Sequence, residues 1–430
     1  MTGRRLGCAL LAAGFAALLA AGPAAAAPAR PTADPAAPTP TAPWSGRPPQ
    51  GQAPDGSTVG GDELDTRDTV VADGAPPLPD GLAASGWLVA DAGTGDVLAA
   101  RDPHGRYYPA STLKTLILLT LEPVLDPAQV VVGTVEDENV EGSRVGLVAG
   151  GQYPVGLLFQ ALMMQSGNDA ANALARAVGG VDATVEAMNE TAAGLGAYDT
   201  VAGTPSGLDV AGQSSSPYDL ALIFRALLEN PDTAAVLATP TAQMPAVGDR
   251  SPGYQIQSQN PLLGSYPGNL GGKNGFTDAA RHTFVTAAER DGRRLVASVM
   301  DTENVPLRAA DQAVLLLDWG FSVPRGTDGA GRLVRPADLA AATATPTTTA
   351  RPRPSPVAGT GAAVADDREP SPLVPAALAA GAVLIVAATV VGRRRAVRRP
   401  AEAPAVAPVR RPPPAGSPPP PTGGSPSTRP

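Results

Sequence analysis

The chain has 430 residues, length enough for two or three average domains, but 48 glycines and 48 prolines imply that much of it cannot pack, so one core is expected. Its net charge is −8, and setting aside two signal arginines and the net seven positive charges of the C-terminal tail leaves about −17 on the body, which argues against nucleic acid as a partner. The single cysteine, Cys8, lies within the N-terminal signal, which excludes disulfides.

In chain order, residues 1–27 read as an export signal: Arg4 and Arg5 precede an apolar run from Leu6 to Ala21 and small residues from Gly22 to Ala27. Cys8 stands at the start of the apolar run instead of ending it, so lipid attachment there is not expected. Residues 28–80, rich in Pro, Ala, Thr and Gly, read as an extended linker. A folded domain is expected over 81–336, long enough for a sizeable core. Strands over Gly86–Asp91 and Val97–Arg101 form a hairpin across Gly93-Thr94-Gly95-Asp96. Helices follow over Ser111–Leu121, Val155–Met164, Asp169–Val178, Val181–Leu195 and Pro217–Leu228. A second hairpin joins His282–Ala288 to Arg293–Met300 across Asp291-Gly292, and a helix over Leu307–Trp319 ends the domain. Strands at both ends with helices between predict an α/β (α+β) fold with one antiparallel sheet flanked by helical layers, because an isolated hairpin is not stable.

Residues 337–372 read as a second, Pro/Thr-rich linker. The uncharged run from Leu373 to Val391 is long enough to span a bilayer, so a transmembrane helix is expected over 373–392. It is followed by Arg393, Arg394, Arg395, Arg398 and Arg399, which puts the basic, Pro-rich tail, 393–430, in the cytoplasm. The expected location is therefore the cell membrane, crossed once, with the domain outside.

Only two of the 32 basic residues are lysines, Lys114 and Lys273. Arginine replaces lysine wherever only positive charge is needed, but it cannot give up its proton, so both surviving lysines are candidates for chemistry. Ser111-Thr112-Leu113-Lys114 sets a hydroxyl and an amine one turn apart at a helix start, where an ammonium is disfavoured and a neutral amine can activate the serine. Leu113 and Leu116-Ile117-Leu118-Leu119 make that helix apolar nearly all round, so Lys114 should be buried. Taken alone, Ser166-Gly167-Asn168 reads as helix caps, and Gly272-Lys273-Asn274-Gly275 as a bulge or turn.

Together, S-x-x-K, S-G-N about 55 residues on and K-x-G roughly 110 further resemble the three-motif signature of penicillin-binding proteins and serine β-lactamases. The strings Ala90-Asp91-Ala92-Gly93-Thr94-Gly95, Pro109-Ala110-Ser111-Thr112-Leu113-Lys114, Ser166-Gly167-Asn168-Asp169-Ala170-Ala171, Thr204-Pro205-Ser206-Gly207-Leu208 and Lys273-Asn274-Gly275-Phe276-Thr277-Asp278 are similar to those of the low-molecular-mass D-alanyl-D-alanine carboxypeptidases. The likeness runs from about Gly86 to Phe321. It implies a penicillin-binding/β-lactamase-like transpeptidase fold and a penicillin-sensitive enzyme that removes the terminal D-alanine of peptidoglycan stem pentapeptides, with no cofactor and with β-lactams as covalent inhibitors. It implies Ser111 as nucleophile, Lys114 as base, and Ser166 with Lys273 relaying the proton to the departing amine. Asn168 would hold the substrate amide, and the N–H groups of Ser111 and Phe276 would form the oxyanion hole. Gly275 would let the substrate lie close, and Arg308 would meet its carboxylate. Asn274 stands where the family usually has Thr or Ser, a departure that bears on rate or substrate preference.

Two rivals are weighed against this. A β-lactamase needs a glutamate-activated water, marked by a Glu-x-x-Leu-Asn string, and Glu186-Ala187-Met188-Asn189 is one residue short of it and too near Ser166. A catalytically weak wall-binding membrane anchor draws its support from Asn274. His104 and His282 sit in no metal-ligand spacing, and are expected as a turn and a strand residue respectively.

Overall fold

The computed structural model describes residues 51–343. The expected signal, the span at 373–392 and the basic tail lie outside these residues, as do parts of both linkers. No helix among the described residues is long and apolar enough to cross a membrane.

Strands β1 (Thr69–Val71), β2 (Gly86–Asp91) and β3 (Val97–Arg101) open the chain, followed by a 3-10 turn at Ala110–Leu113 that runs into α1 (Lys114–Leu121). Next come β4 (Val130–Val132), α2 (Val135–Glu138), β5 (Gln152–Pro154), α3 (Val155–Met164), α4 (Asn168–Ala177), α5 (Val181–Leu195), α6 (Pro217–Glu229) and α7 (Pro231–Leu237). The chain closes with β6 (Thr241–Met244), β7 (Tyr254–Gln257), β8 (Asn269–Thr277), β9 (Arg281–Arg290), β10 (Arg293–Thr302), α8 (Ala309–Ser322) and α9 (Pro336–Thr343). The main sheet runs β1-β3-β2-β10-β9-β8, antiparallel throughout, and β4–β5 and β6–β7 form two small ribbons.

Alternation along the central strands decides which layer each side chain joins. Leu88 and Ala90 of β2 enter the core shared with α1, α3 and α6, whereas Trp87 and Val89 enter the core under α8. A strand covered on both faces must be apolar at every position, which is why GWLVAD carries no polar residue before its end. The β9–β10 hairpin turns at Asp291 (φ 51°) and Gly292 (φ 71°), the two positive dihedrals that a right-twisted two-residue turn requires.

The predicted hairpins and helices are present, with ends shifted by a few residues. The linker boundaries differ. Residues 51–80, expected as linker, contribute β1, which pairs Thr69, Val70 and Val71 with Arg101, Ala100 and Ala99, while Val59 and Leu64 are buried. A three-residue Thr-Val-Val strand in polar surroundings has no periodicity of its own and is stabilised by its neighbour on the sheet. At the other end, α9 begins at Pro336, the last residue of the expected domain, and runs to Thr343 in the expected second linker.

Candidate active site

Where a continuous helix was expected from Ser111, the chain makes a 3-10 turn first. Side chains three residues apart eclipse in that geometry, and Lys114 Nζ stands 3.0 Å from Ser111 Oγ. Lys114 is fully buried, as expected from its apolar neighbours. Its Nζ also meets Asn168 Oδ1 at 2.7 Å and the carbonyl oxygen of Ser206. Those two oxygens can only accept, whereas a serine hydroxyl can donate. A neutral amine satisfies all three at once, with two N–H donors for the acceptors and its lone pair for the hydroxyl. Burial, and secondarily the charge of Lys273, hold the Lys114 pKa well below the ordinary lysine value, with Asp169 opposing.

The turn is locked from several sides. Pro109 O accepts from Thr112 Oγ1 at 2.5 Å and from Thr283 Oγ1 of β9 at 2.9 Å. Ala110 adopts φ 47°, a strained conformation for a residue with a Cβ, and Ser166 does the same at φ 58°. Gly207 packs directly on Ala110: a Cβ there would lie 2.0 Å from the Ala110 carbonyl oxygen.

Asn168 and Asp169, the first residues of α4, clasp the loop across the cleft. Asn168 N donates to Ser143 O at 2.7 Å and its Nδ2 to Glu141 O at 2.6 Å. The buried Asp169 carboxylate accepts from the backbone N–H groups of Val145, Gly146 and Leu147 at 2.7–2.9 Å. Asn168 was expected to hold the substrate amide; in this structure both ends of its side chain are engaged, one by Lys114 and one by the loop.

Strand β8 forms the other wall. Gly275 sits so close to the nucleophile that a Cβ would lie 2.8 Å from Ser111 N and 2.4 Å from Thr283 Oγ1. The Phe276 ring is exposed and packs on His282, with centroids 4.5 Å apart. Lys273 is buried, its Nζ donates to Asn274 O at 2.6 Å, and burial lowers its pKa to about 7. Asn274 Oδ1 stands 3.3 Å from the same ammonium nitrogen, so the unusual residue contacts the second lysine. Thr277 Oγ1 reaches across to Asp209 Oδ1 at 2.9 Å.

Ser111, Lys114, Asn168 and Gly275 thus share one cleft, and the charge of Lys273 is felt at Lys114. Ser166 Oγ is buried and has no hydrogen-bond partner among the described residues, so the Ser166–Lys273 link is not made here. Arg308 is an exposed N-cap of α8 whose N–H donates to Asp311 Oδ2 at 3.3 Å, and no hydrogen bond joins it to the cleft among the described residues. Sequence reasoning missed the Ser206 carbonyl and the Asp169 clasp. The string Thr204–Leu208 marked the first, but a backbone acceptor leaves no side-chain signature.

Glu186, the carboxylate of the near-match to a β-lactamase string, is exposed on α5, and Asn189 is occupied with Ala202, its Oδ1 accepting at 2.8 Å and its Nδ2 donating at 2.9 Å. His104 lies in a turn as expected but is fully buried, with Asp199 and Asp219 beside it; the potential ligand atoms of the three lie within 4.8 Å of one another. Both ring nitrogens of His104 already face oxygens at hydrogen-bond distance, so the ring itself is engaged in a hydrogen-bonded cluster.

Residues 72–304 match the family model for D-alanyl-D-alanine carboxypeptidases. The D-alanyl-D-alanine carboxypeptidase DacB2 of Mycobacterium tuberculosis is 46% identical over 263 residues, covering 60% of this chain and 89% of that protein. DacF of Bacillus subtilis is 29% identical over 235 residues, covering 53% and 60%. A solved D-alanyl-D-alanine carboxypeptidase of Mycobacterium tuberculosis H37Rv superposes with TM-score 0.58 at 43% identity, covering 61% of this chain and 99% of that one. The Streptomyces K15 DD-transpeptidase does so with TM-score 0.55 at 25% identity, covering 57% and 100%.

Proposed function

The chain belongs to the D-alanyl-D-alanine carboxypeptidase family, and from that premise we propose that it removes the terminal D-alanine of peptidoglycan stem pentapeptides through an acyl-enzyme on Ser111. It is a serine-type peptidase with the mixed α/β fold of penicillin-binding proteins.

The observation that carries the assignment of roles is the contact between Ser111 Oγ and the buried, proton-poor amine of Lys114. Lys114 Nζ takes the hydroxyl proton as Oγ bonds to the carbonyl carbon of the penultimate D-alanine. The negative oxygen that develops is met by the N–H groups of Ser111 and Phe276, the latter from the residue that follows the close approach of Gly275 to Ser111 N. The C–N bond then breaks, and the departing amine gains a proton through Ser166 and Lys273. Lys273, with a pKa of about 7, is suited to hold and release that proton near neutral pH. Water hydrolyses the ester and frees Ser111. The exposed position of Glu186 supports a slow ester hydrolysis with penicillin, hence inhibition in place of turnover.

On the same reading the enzyme works outside the membrane, held by a single span at 373–392. Its support is the uncharged run Leu373–Val391 and the arginines after it. Truncation after residue 372 is expected to move activity from the membrane fraction to the soluble one; activity retained in the membrane would remove the anchor from this region.

Fluorescent penicillin is expected to label the wild-type chain stoichiometrically at Ser111. Ser111→Ala is expected to fold normally, take no label and release no D-alanine. Equal release by wild type and variant would overturn the assignment.

A further inference from the structure

Just upstream of Ser111 the chain buries a charged group that the reaction above does not use. His104 Nδ1 lies 2.9 Å from Asp199 Oδ2, and Nε2 lies 3.0 Å from the carbonyl oxygen of Val59. A carbonyl oxygen only accepts. The other oxygen of Asp199 already accepts from Gly51 N at 3.0 Å and from Arg106 Nε at 3.2 Å, the pattern of an ionised carboxylate. Both ring nitrogens must therefore donate, and only the imidazolium does so. Asp219 completes the group: its Oδ2 accepts from Asp199 N at 2.9 Å and from Thr200 Oγ1 at 2.7 Å, while its Oδ1 is buried with no partner among the described residues.

These bonds close the two ends of one loop. Asp199 O accepts from Ser214 Oγ at 2.8 Å, Thr200 Oγ1 meets Ser215 Oγ at 2.9 Å, and Ser215 exchanges both backbone hydrogen bonds with Tyr107 at 2.9 Å. The tip of the same loop is Ser206-Gly207, which offers its carbonyl to Lys114 and packs on Ala110. We propose that His104, Asp199 and Asp219 form a buried charged anchor that positions the Ser206-Gly207 loop against Ser111 and Lys114, and that the anchor holds only while His104 carries both ring protons. The inference rests on the reading of Ser111 and Lys114 as the acylating pair. His104 is a positioning residue: it touches no reacting atom.

The charged or titratable groups around the ring are Asp199 and Asp219, with Asp102 close by and Arg106 on the far side of Asp199; the Tyr218 ring packs on it at 4.6 Å. Burial works against the charged ring, but the hydrogen bond to Asp199 and the charges of Asp199 and Asp219 outweigh it and raise the His104 pKa above its ordinary value. Burial and the charge of Asp199 push Asp219 up to about 7. As pH rises through the raised value of His104, one ring nitrogen loses its proton and faces an acceptor with a lone pair, which releases one end of the loop.

The chain has two histidines, so the full-length protein labelled with 15N in histidine alone gives two ring spin systems, with His282 as the internal reference. At neutral pH, His104 is expected to show two protonated ring nitrogens and to lose a proton at higher pH than His282. A single neutral tautomer, or a ring nitrogen bound to a metal ion, would overturn the proposal. In His104→Gln one of the two contacts is lost at every pH. Its kcat/KM for D-alanine release is expected to fall by about tenfold at neutral pH, and the alkaline limb set by His104 to disappear, while penicillin still labels Ser111. A folded variant with the wild-type pH profile would overturn it, and if the variant does not fold, the ring signals of the wild type decide. Failure of penicillin to label the wild-type chain would instead sink the acyl-enzyme reading.

Discussion

Two buried basic groups lie on either side of the Ser111 turn, and burial has opposite outcomes for them. Lys114 faces two oxygens that can only accept and one hydroxyl that can donate, so a neutral amine satisfies every contact. His104 has two ring nitrogens and an acceptor opposite each, so only the charged ring does. Both are removed from water, and desolvation favours the neutral form in each. The difference teaches that oxygens which only accept can force a buried base to keep its proton, whereas a hydroxyl that can also donate lets burial remove it.

The harshest way to break this contrast is Lys114→Arg. A guanidinium cannot accept the serine proton, so penicillin acylation measured by stopped flow is expected to fall by about a thousandfold or more. Near-normal acylation would make Lys114 structural. Next comes Gly275→Ala. The new Cβ would meet Ser111 N and Thr283 Oγ1, and acylation is expected to drop by about a hundredfold. Gly292→Ala at the far hairpin, where nothing lies within 4 Å, is expected to cost about 1 kcal/mol of stability through its positive φ and to leave acylation alone.

Lys273→Met sharpens the comparison through stability. The folded-state pKa of Lys273 is about 7, against 10.5 ordinarily, so the folded protein holds fewer protons between those values and its stability rises with pH there. His104 has the opposite sign: its folded pKa is raised, so its contribution is complete below about 6.5 and is lost as pH rises through the folded value. Thermal melts of Lys273→Met across this range are expected to lose the alkaline rise and to gain roughly a few kcal/mol near neutral pH, while acylation is lost. An unchanged pH dependence would show Lys273 to be hydrated and charged.

The smallest effect is expected at Arg308, exposed at the start of α8. Arg308→Ala is expected to change stability by less than about 0.5 kcal/mol. If its guanidinium meets the substrate carboxylate, KM for the pentapeptide rises several-fold with kcat unchanged, and an unaltered KM would reduce it to a helix cap.

Much of the site was legible before the fold. Scarcity of lysine singled out Lys114 and Lys273, and the apolar run after Leu113 foretold a buried amine. The hairpins at Gly93–Asp96 and Asp291-Gly292 followed from turn chemistry and alternation, both local properties. What stayed hidden depends on contacts between distant segments. Nothing in Asp102-Pro103-His104-Gly105 marks a buried ring, because its partners are Val59 and Asp199. Thr69–Val71 becomes a strand only because β3 offers an edge to pair with.

By itself the amino-acid order determined which groups can do chemistry and how far apart the nucleophile and its base stand, since one turn of chain sets that distance. Tertiary structure decided their protonation, because the acceptors facing Lys114 come from residues 168 and 206 and those facing His104 from residues 59 and 199. A proton's position depends on every dipole within a few ångströms, and those dipoles converge only when the chain has folded.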